Sequence, residues 1–194
     1  PIWMKGVYEN IGKTDSLSVT FNLLAKDENI WDLYGTRTRV QMQKACPFEL
    51  STFEGYCLLT SSFFSAYMTN TEHRLLQAER DKAEDNTIIL HDFFYKNYDL
   101  KIKYDPSDPL KPFVEFDEQI IGSTAEAFGT IYGNGKLMCD QPVAYDSYYN
   151  VCQKFVILYT TIYVVGKGTV GTYVNILEWI SDEEAEQYKK EEGL

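Results

Sequence analysis

Histidine is almost absent from this sequence, and cysteine is scarce. There are two histidines, His73 and His91, and four cysteines, Cys46, Cys57, Cys139 and Cys152, none of them in a CxxC pair. A zinc or iron centre needs several converging imidazole or thiolate ligands. The supply is too thin and too scattered, so no structural metal is expected. Four cysteines are also too few for a disulfide-built scaffold. The pattern reads them as free buried thiols, with a Cys139–Cys152 bridge as the alternative.

Basic charge is short as well. The 18 lysines and arginines stand against 29 aspartates and glutamates, a net charge of −11. Nucleic-acid binding needs a basic footprint to neutralise phosphates, and none is present. Direct attraction to an anionic membrane surface is disfavoured for the same reason. Long apolar runs are missing too. The longest, Phe155 to Val165, is interrupted by Thr160 and Thr161 and falls short of the roughly 18–20 residues a membrane-spanning helix needs. No transmembrane segment or signal peptide is read. The chain starts at Pro1 rather than Met, which reads as processing or trimming of an upstream segment. The GxSxG signature of a hydrolase nucleophile elbow is absent.

Two glycine motifs imitate phosphate sites without their context. Gly166 to Gly171 spells GxGxxG, but a strand-type run, Thr172 to Ile176, follows where a helix is required. A pyrophosphate would find no helix N-terminus there, so the motif reads as a hairpin turn. Gly133-Asn134-Gly135-Lys136 lacks both the upstream glycine and the Ser/Thr of a P-loop. It too reads as a turn. No cofactor is expected.

What the sequence has in abundance is β pattern. It carries 15 Tyr, 11 Phe and 3 Trp in 194 residues, a length suited to one domain. Leu17, Val19, Phe21 and Leu23 alternate with polar residues, as do Val40 and Met42, and Leu100, Ile102 and Tyr104. A period of two marks half-buried strands. Further strands are read over Tyr56 to Met68, Thr87 to Tyr95, Phe113 to Ile121, Lys154 to Val165 and Thr172 to Trp179. Residues 69–86 are charged and read as a solvated excursion, either a short helix or a hairpin. Gly122 to Met138, with four glycines, reads as one strongly bent strand. Ser181 to Glu184 is a capping box that opens a helix, Asp182 to Lys190.

Short turns between strands imply antiparallel pairing, and a long antiparallel series tends to close. The expected fold is all-β: a closed antiparallel β-barrel of about eight strands with a charged excursion and a short C-terminal helix. Residues 1–180 form the barrel domain, with 69–86 as the excursion. Residues 181–194 form an acidic helix or tail.

Several pieces in order resemble the allene oxide cyclase family and the barrel superfamily it shares with dirigent proteins. They are Val7-Tyr8-Glu9, Gly55-Tyr56-Cys57-Leu58-Leu59, the aromatic run Phe93 to Ile102, Ala127 to Leu137, and Phe155 to Gly166. The resemblance implies a barrel around a hydrophobic ligand and a plastid compartment after removal of a targeting segment. Glu9 would be the catalytic carboxylate that assists epoxide opening, and Cys57, Tyr56 and Trp31 would line the cavity. The residues depart from the pattern where the family holds its water. Ile11 and Trp31 replace asparagines, and Trp31 would fill the cavity. The function expected is therefore a non-catalytic accessory or scaffold subunit of a larger assembly, partnered by other protein subunits. A barrel binding a small hydrophobic ligand, or an allene-oxide-cyclase-like isomerase, is the alternative.

Overall fold

The computed structural model describes residues 16–22, 37–43, 46–68, 71–108 and 111–193. The chain divides into two compact units, Pro1–Cys46 and Pro47–Leu194. In the first, strands β1 (Ser16–Asn22) and β2 (Arg37–Gln43) form an antiparallel pair in which Val19 faces Val40. Both strands fall where the alternation placed them.

The second unit is a closed barrel. Its strands are β3 (Gly55–Ser61), β4 (His73–Arg80), β5 (Thr87–Leu90), β6 (Leu100–Asp105), β7 (Phe113–Glu115), β8 (Gln119–Ser123), β9 (Lys136–Asp140), β10 (Tyr148–Asn150), β11 (Phe155–Val164) and β12 (Gly168–Trp179). Pairing runs β10-β7-β6-β5-β4-β3-β12-β11, and β11 pairs back onto β10. Eight antiparallel strands therefore close a ring, the number whose interior side chains can fill. The fold class expected from sequence is the one observed. The remaining strands, β8 and β9, branch from the ring. One edge of β11 is shared: Phe155 to Ile157 pair with β10, and Thr161 to Tyr163 pair with β9.

Strand alternation fixes the core. In β11 the residues Val156, Leu158, Thr160, Ile162 and Val164 are buried, while the residues between them are half-exposed. In β6, Leu100, Ile102 and Tyr104 point inward and Lys101, Lys103 and Asp105 point out. One end of the interior is filled by rings. Phe53 stacks on Tyr104 at 4.6 Å and meets Trp179 edge-on at 5.1 Å, and Tyr104 meets Tyr149 at 5.2 Å. Contacts of this kind add to the area the rings bury. Among the described residues, Asn175 is a fully buried amide in the core. Its amide donates to the Leu158 carbonyl at 2.9 Å and to Thr160 Oγ1 at 3.0 Å, and its Oδ1 accepts from Ser61 Oγ at 2.6 Å. The network spans β3, β12 and β11, and a satisfied network of this kind pins register.

Several readings need correction. The strand read over Thr87 to Tyr95 stops at Leu90, and the one read over Phe113 to Ile121 is two strands, broken after Glu115. Gly122 to Met138 is not one bent strand. It is β8, a helix α2 (Thr124–Phe128), a tight loop and β9. Ser123 and Glu126 form a capping box, and Gly129 ends the helix at φ 71°. The local capping energetics outweigh the strand-type residues that follow. Residues 73–80 of the charged excursion are β4, an integral stave. Leu76 and Ala78 face inward opposite Cys57 and Leu90. The strand read over Tyr56 to Met68 stops at Ser61, whose side chain accepts from the Phe63 N–H and opens helix α1 (Ser62–Tyr67). Finally, Cys57 and Cys139 are buried free thiols, whereas Cys46 and Cys152 are disulfide-bonded. The free-thiol reading holds for two of the four. The Cys139–Cys152 alternative does not hold, because Cys139 is a free thiol while Cys152 is disulfide-bonded. The terminal helix α3 (Asp182–Glu192) lies where its capping box placed it.

Candidate functional site

Of the residues singled out by sequence, Glu9 and Trp31 lie outside the described residues. Cys57 and Tyr56 are neighbours on β3, so the strand sends them to opposite faces. Cys57 is fully buried in the barrel between its cross-strand partners Trp179 and Leu76. Burial pushes its thiol far above the ordinary cysteine range, which removes the thiolate that nucleophilic chemistry requires. Tyr56 is on the outer face. Lys189 of α3 donates to its hydroxyl at 3.0 Å and lies 4.3 Å from its ring centroid, an arrangement that fastens the helix to the wall. The two residues therefore do not line a common site.

The interior around Cys57 is apolar with two unmet polar demands. Among the described residues, the Tyr104 hydroxyl and the Trp179 indole N–H are buried without a hydrogen-bond partner. Burial raises the Tyr104 pKa well above the usual tyrosine value, so that hydroxyl stays a neutral donor. Both rings touch Phe53. Tyr149, on the same ring cluster, is satisfied by donating to the Asp105 carbonyl at 3.2 Å. The arrangement could offer donors to one buried oxygen. It contains no base or nucleophile.

The outer wall carries a polar cleft of about 420 Å³ where the ring meets its branch. Lys101, Lys103, Glu115, Asp117, Gln119 and Gln141 are among its lining residues. Two glutamines do the work of a missing strand here. The Gln119 carboxamide accepts from the Lys101 N–H at 2.9 Å and donates to the Lys101 carbonyl at 2.9 Å. The Gln141 Oε1 accepts from the Phe116 N–H at 3.2 Å. Beside them, Asp81 accepts from Lys101 Nζ at 2.5 Å and from the Ala83 N–H at 2.8 Å. The lysine hydrogen bond, aided by the backbone one, holds its carboxyl below the usual range, and the same bond raises Lys101. Sequence reasoning missed this seam. Nothing in the pattern around Gln119 or Gln141 signals a side chain acting as a strand edge.

The histidines are no nearer to a reacting centre. His73 Nδ1 is 2.7 Å from Thr60 Oγ1. His91 lies between Asp99 at 3.1 Å and Glu79 at 3.5 Å on the surface. Among the described residues no cluster of His, Cys, Asp or Glu could hold a metal ion, and no helix is long and apolar enough to cross a membrane.

Residues 33–191 match the sequence model of a family described as a domain of unknown function, DUF4984. No curated protein and no solved structure matches the chain.

Proposed function

The chain belongs to the DUF4984 family, and we propose that it is a non-catalytic barrel that serves as an accessory or scaffold subunit and acts through its outer surface. The observation that supports this most is the filling of the barrel. Phe53, Tyr104, Trp179, Leu59, Leu158 and Leu177 occupy the interior with almost no exposure, and burial holds Cys57 as a neutral thiol. The disulfide-bonded state of Cys46 and Cys152 supports residence in an oxidising compartment.

A second reading, a barrel that takes a small hydrophobic ligand, draws support from the unpartnered Tyr104 hydroxyl and Trp179 N–H. A ligand carbonyl or ether oxygen would satisfy them. An isomerase acting through Glu9 is a special case of that reading. Titration of the purified chain with cis-parinaric acid separates the two. The accessory reading expects no saturable rise in probe fluorescence. A saturable one-to-one rise that Cys57→Trp abolishes would overturn it in favour of a ligand barrel.

A further inference from the structure

Two segments at one end of the barrel differ in character from the rest of the chain. Residues 129–136 read GTIYGNGK and residues 164–171 read VVGKGTVG. Neither contains an aspartate or glutamate, although the chain has 29 of them, and each contains one lysine, Lys136 and Lys167. Glu126, close by in sequence, is turned back onto Ser123 in its capping box.

The two segments touch. A Cβ on Gly133 would stand 2.8 Å from the Val165 carbonyl oxygen and 3.2 Å from Lys167 Cγ. Together they present Ile131 at 75%, Tyr132 at 48% and Val165 at 48% exposure. The backbone that carries them is held in place. The Tyr132 N–H donates to Thr124 Oγ1 at 2.9 Å, the Gly135 N–H to the Tyr132 carbonyl at 2.8 Å, and the Lys167 N–H to the Val164 carbonyl at 3.0 Å. Beneath them Phe128 meets Tyr132 at 5.9 Å and Tyr67 at 5.4 Å. Large apolar groups kept in water on a preorganised loop mark an interaction site.

We propose that this end of the barrel docks on a lipid bilayer surface with anionic headgroups. Ile131 and Val165 enter the boundary between headgroups and acyl chains, Tyr132 lies at headgroup level, and Lys136 and Lys167 reach lipid phosphates. The apolar groups protrude instead of lining a groove, which suits a soft interface better than a pocketed protein partner. A tyrosine beside lysines is the side-chain set that bilayer interfaces favour. The net charge of −11 belongs to the whole chain. The two segments themselves carry two lysines and no acid, so repulsion of the rest of the chain from an anionic surface turns this end toward the bilayer. The proposal goes beyond the accessory reading and does not depend on it.

The test is co-sedimentation of the full chain with vesicles of phosphatidylcholine alone and of phosphatidylcholine mixed equally with phosphatidylglycerol. Binding is expected to the mixed vesicles and to weaken as salt is raised. Replacing both lysines (Lys136→Glu with Lys167→Glu) is expected to weaken it on the order of tenfold or more. Ile131→Asp is expected to abolish it, with the thermal midpoint of both proteins unchanged. If a variant fails to fold, the salt dependence of the unaltered chain decides. Absence of binding, or binding indifferent to salt and to these substitutions, would overturn the proposal. So would a dimer in solution that Ile131→Asp dissociates, since a second copy of the chain would then cover the tip.

Discussion

Asn175 shows how one polar side chain can govern a barrel core. It is fully buried and joins three strands through Ser61, Thr160 and the Leu158 carbonyl. Replacing it by Leu keeps the bulk and strands both hydroxyls in an apolar interior. A loss of about 2–4 kcal/mol is expected, since each unmet buried group costs about 1–3 kcal/mol. Urea denaturation measures it. A double-mutant cycle with Ser61→Ala should show a coupling well above zero, and strict additivity would mean the network carries no energy. The same scale explains why Tyr56 and Cys57 do not share a site. Period-two geometry already sets Tyr56 and Cys57 on opposite faces, so they could not share a cavity wall. Both were legible as strand residues. That Lys189, more than a hundred positions away, covers Tyr56 was not legible, because a long-range partner leaves no local mark.

Among the elements, the strands with clean alternation and long β-branched runs, such as β6 and β11, can be read directly from sequence. So can α3, from Ser181 and Glu184. The element that misled is α2, and it carries the same signature. Ser123 and Glu126 stand three apart, and their side-chain and backbone bonds match those of the α3 capping box. The strand-type residues Phe128, Ile131 and Tyr132 hid it. Four of the stretches that sequence suggests as continuous strands, Tyr56 to Met68, Thr87 to Tyr95, Phe113 to Ile121 and Gly122 to Met138, thus hold a helical turn or loop. Ser123→Ala removes the cap and is expected to cost about 1 kcal/mol, read as a lower thermal midpoint. No change would mean that the glycines and the packing of the loop on Val165, and not the cap, hold α2. In the charged strand β4 the difficulty was the reverse. Only Leu76 and Ala78 are deeply buried, and two inward residues make a weak pattern against the eight Asp, Glu, Lys and Arg residues of 69–86.

At the scale of the whole molecule, ring closure is legible in principle and its seam is not. Short turns between many strands point to a barrel, but where the last strands meet depends on packing. Here β7 and β10 share a single pair, Phe113 with Tyr148, and glutamine carboxamides tie the neighbouring stretch. Replacing Gln119 by Ala is therefore expected to raise hydrogen exchange at the Lys101 amide selectively, with the β11–β12 pairing keeping its protection. Uniform acceleration across the barrel would mean that the seam and the ring open as one unit.

The branching of β11 carries a consequence for descent. The ring is complete without β8, α2 and β9, because β10 already returns the sheet to β11. The segment from Gln119 to Asp140 is thus a side shoot grafted on a finished cylinder. Mutation can lengthen, shorten or recolour that shoot while the staves persist, so what the tip carrying Ile131 and Tyr132 touches can change without rebuilding the ring.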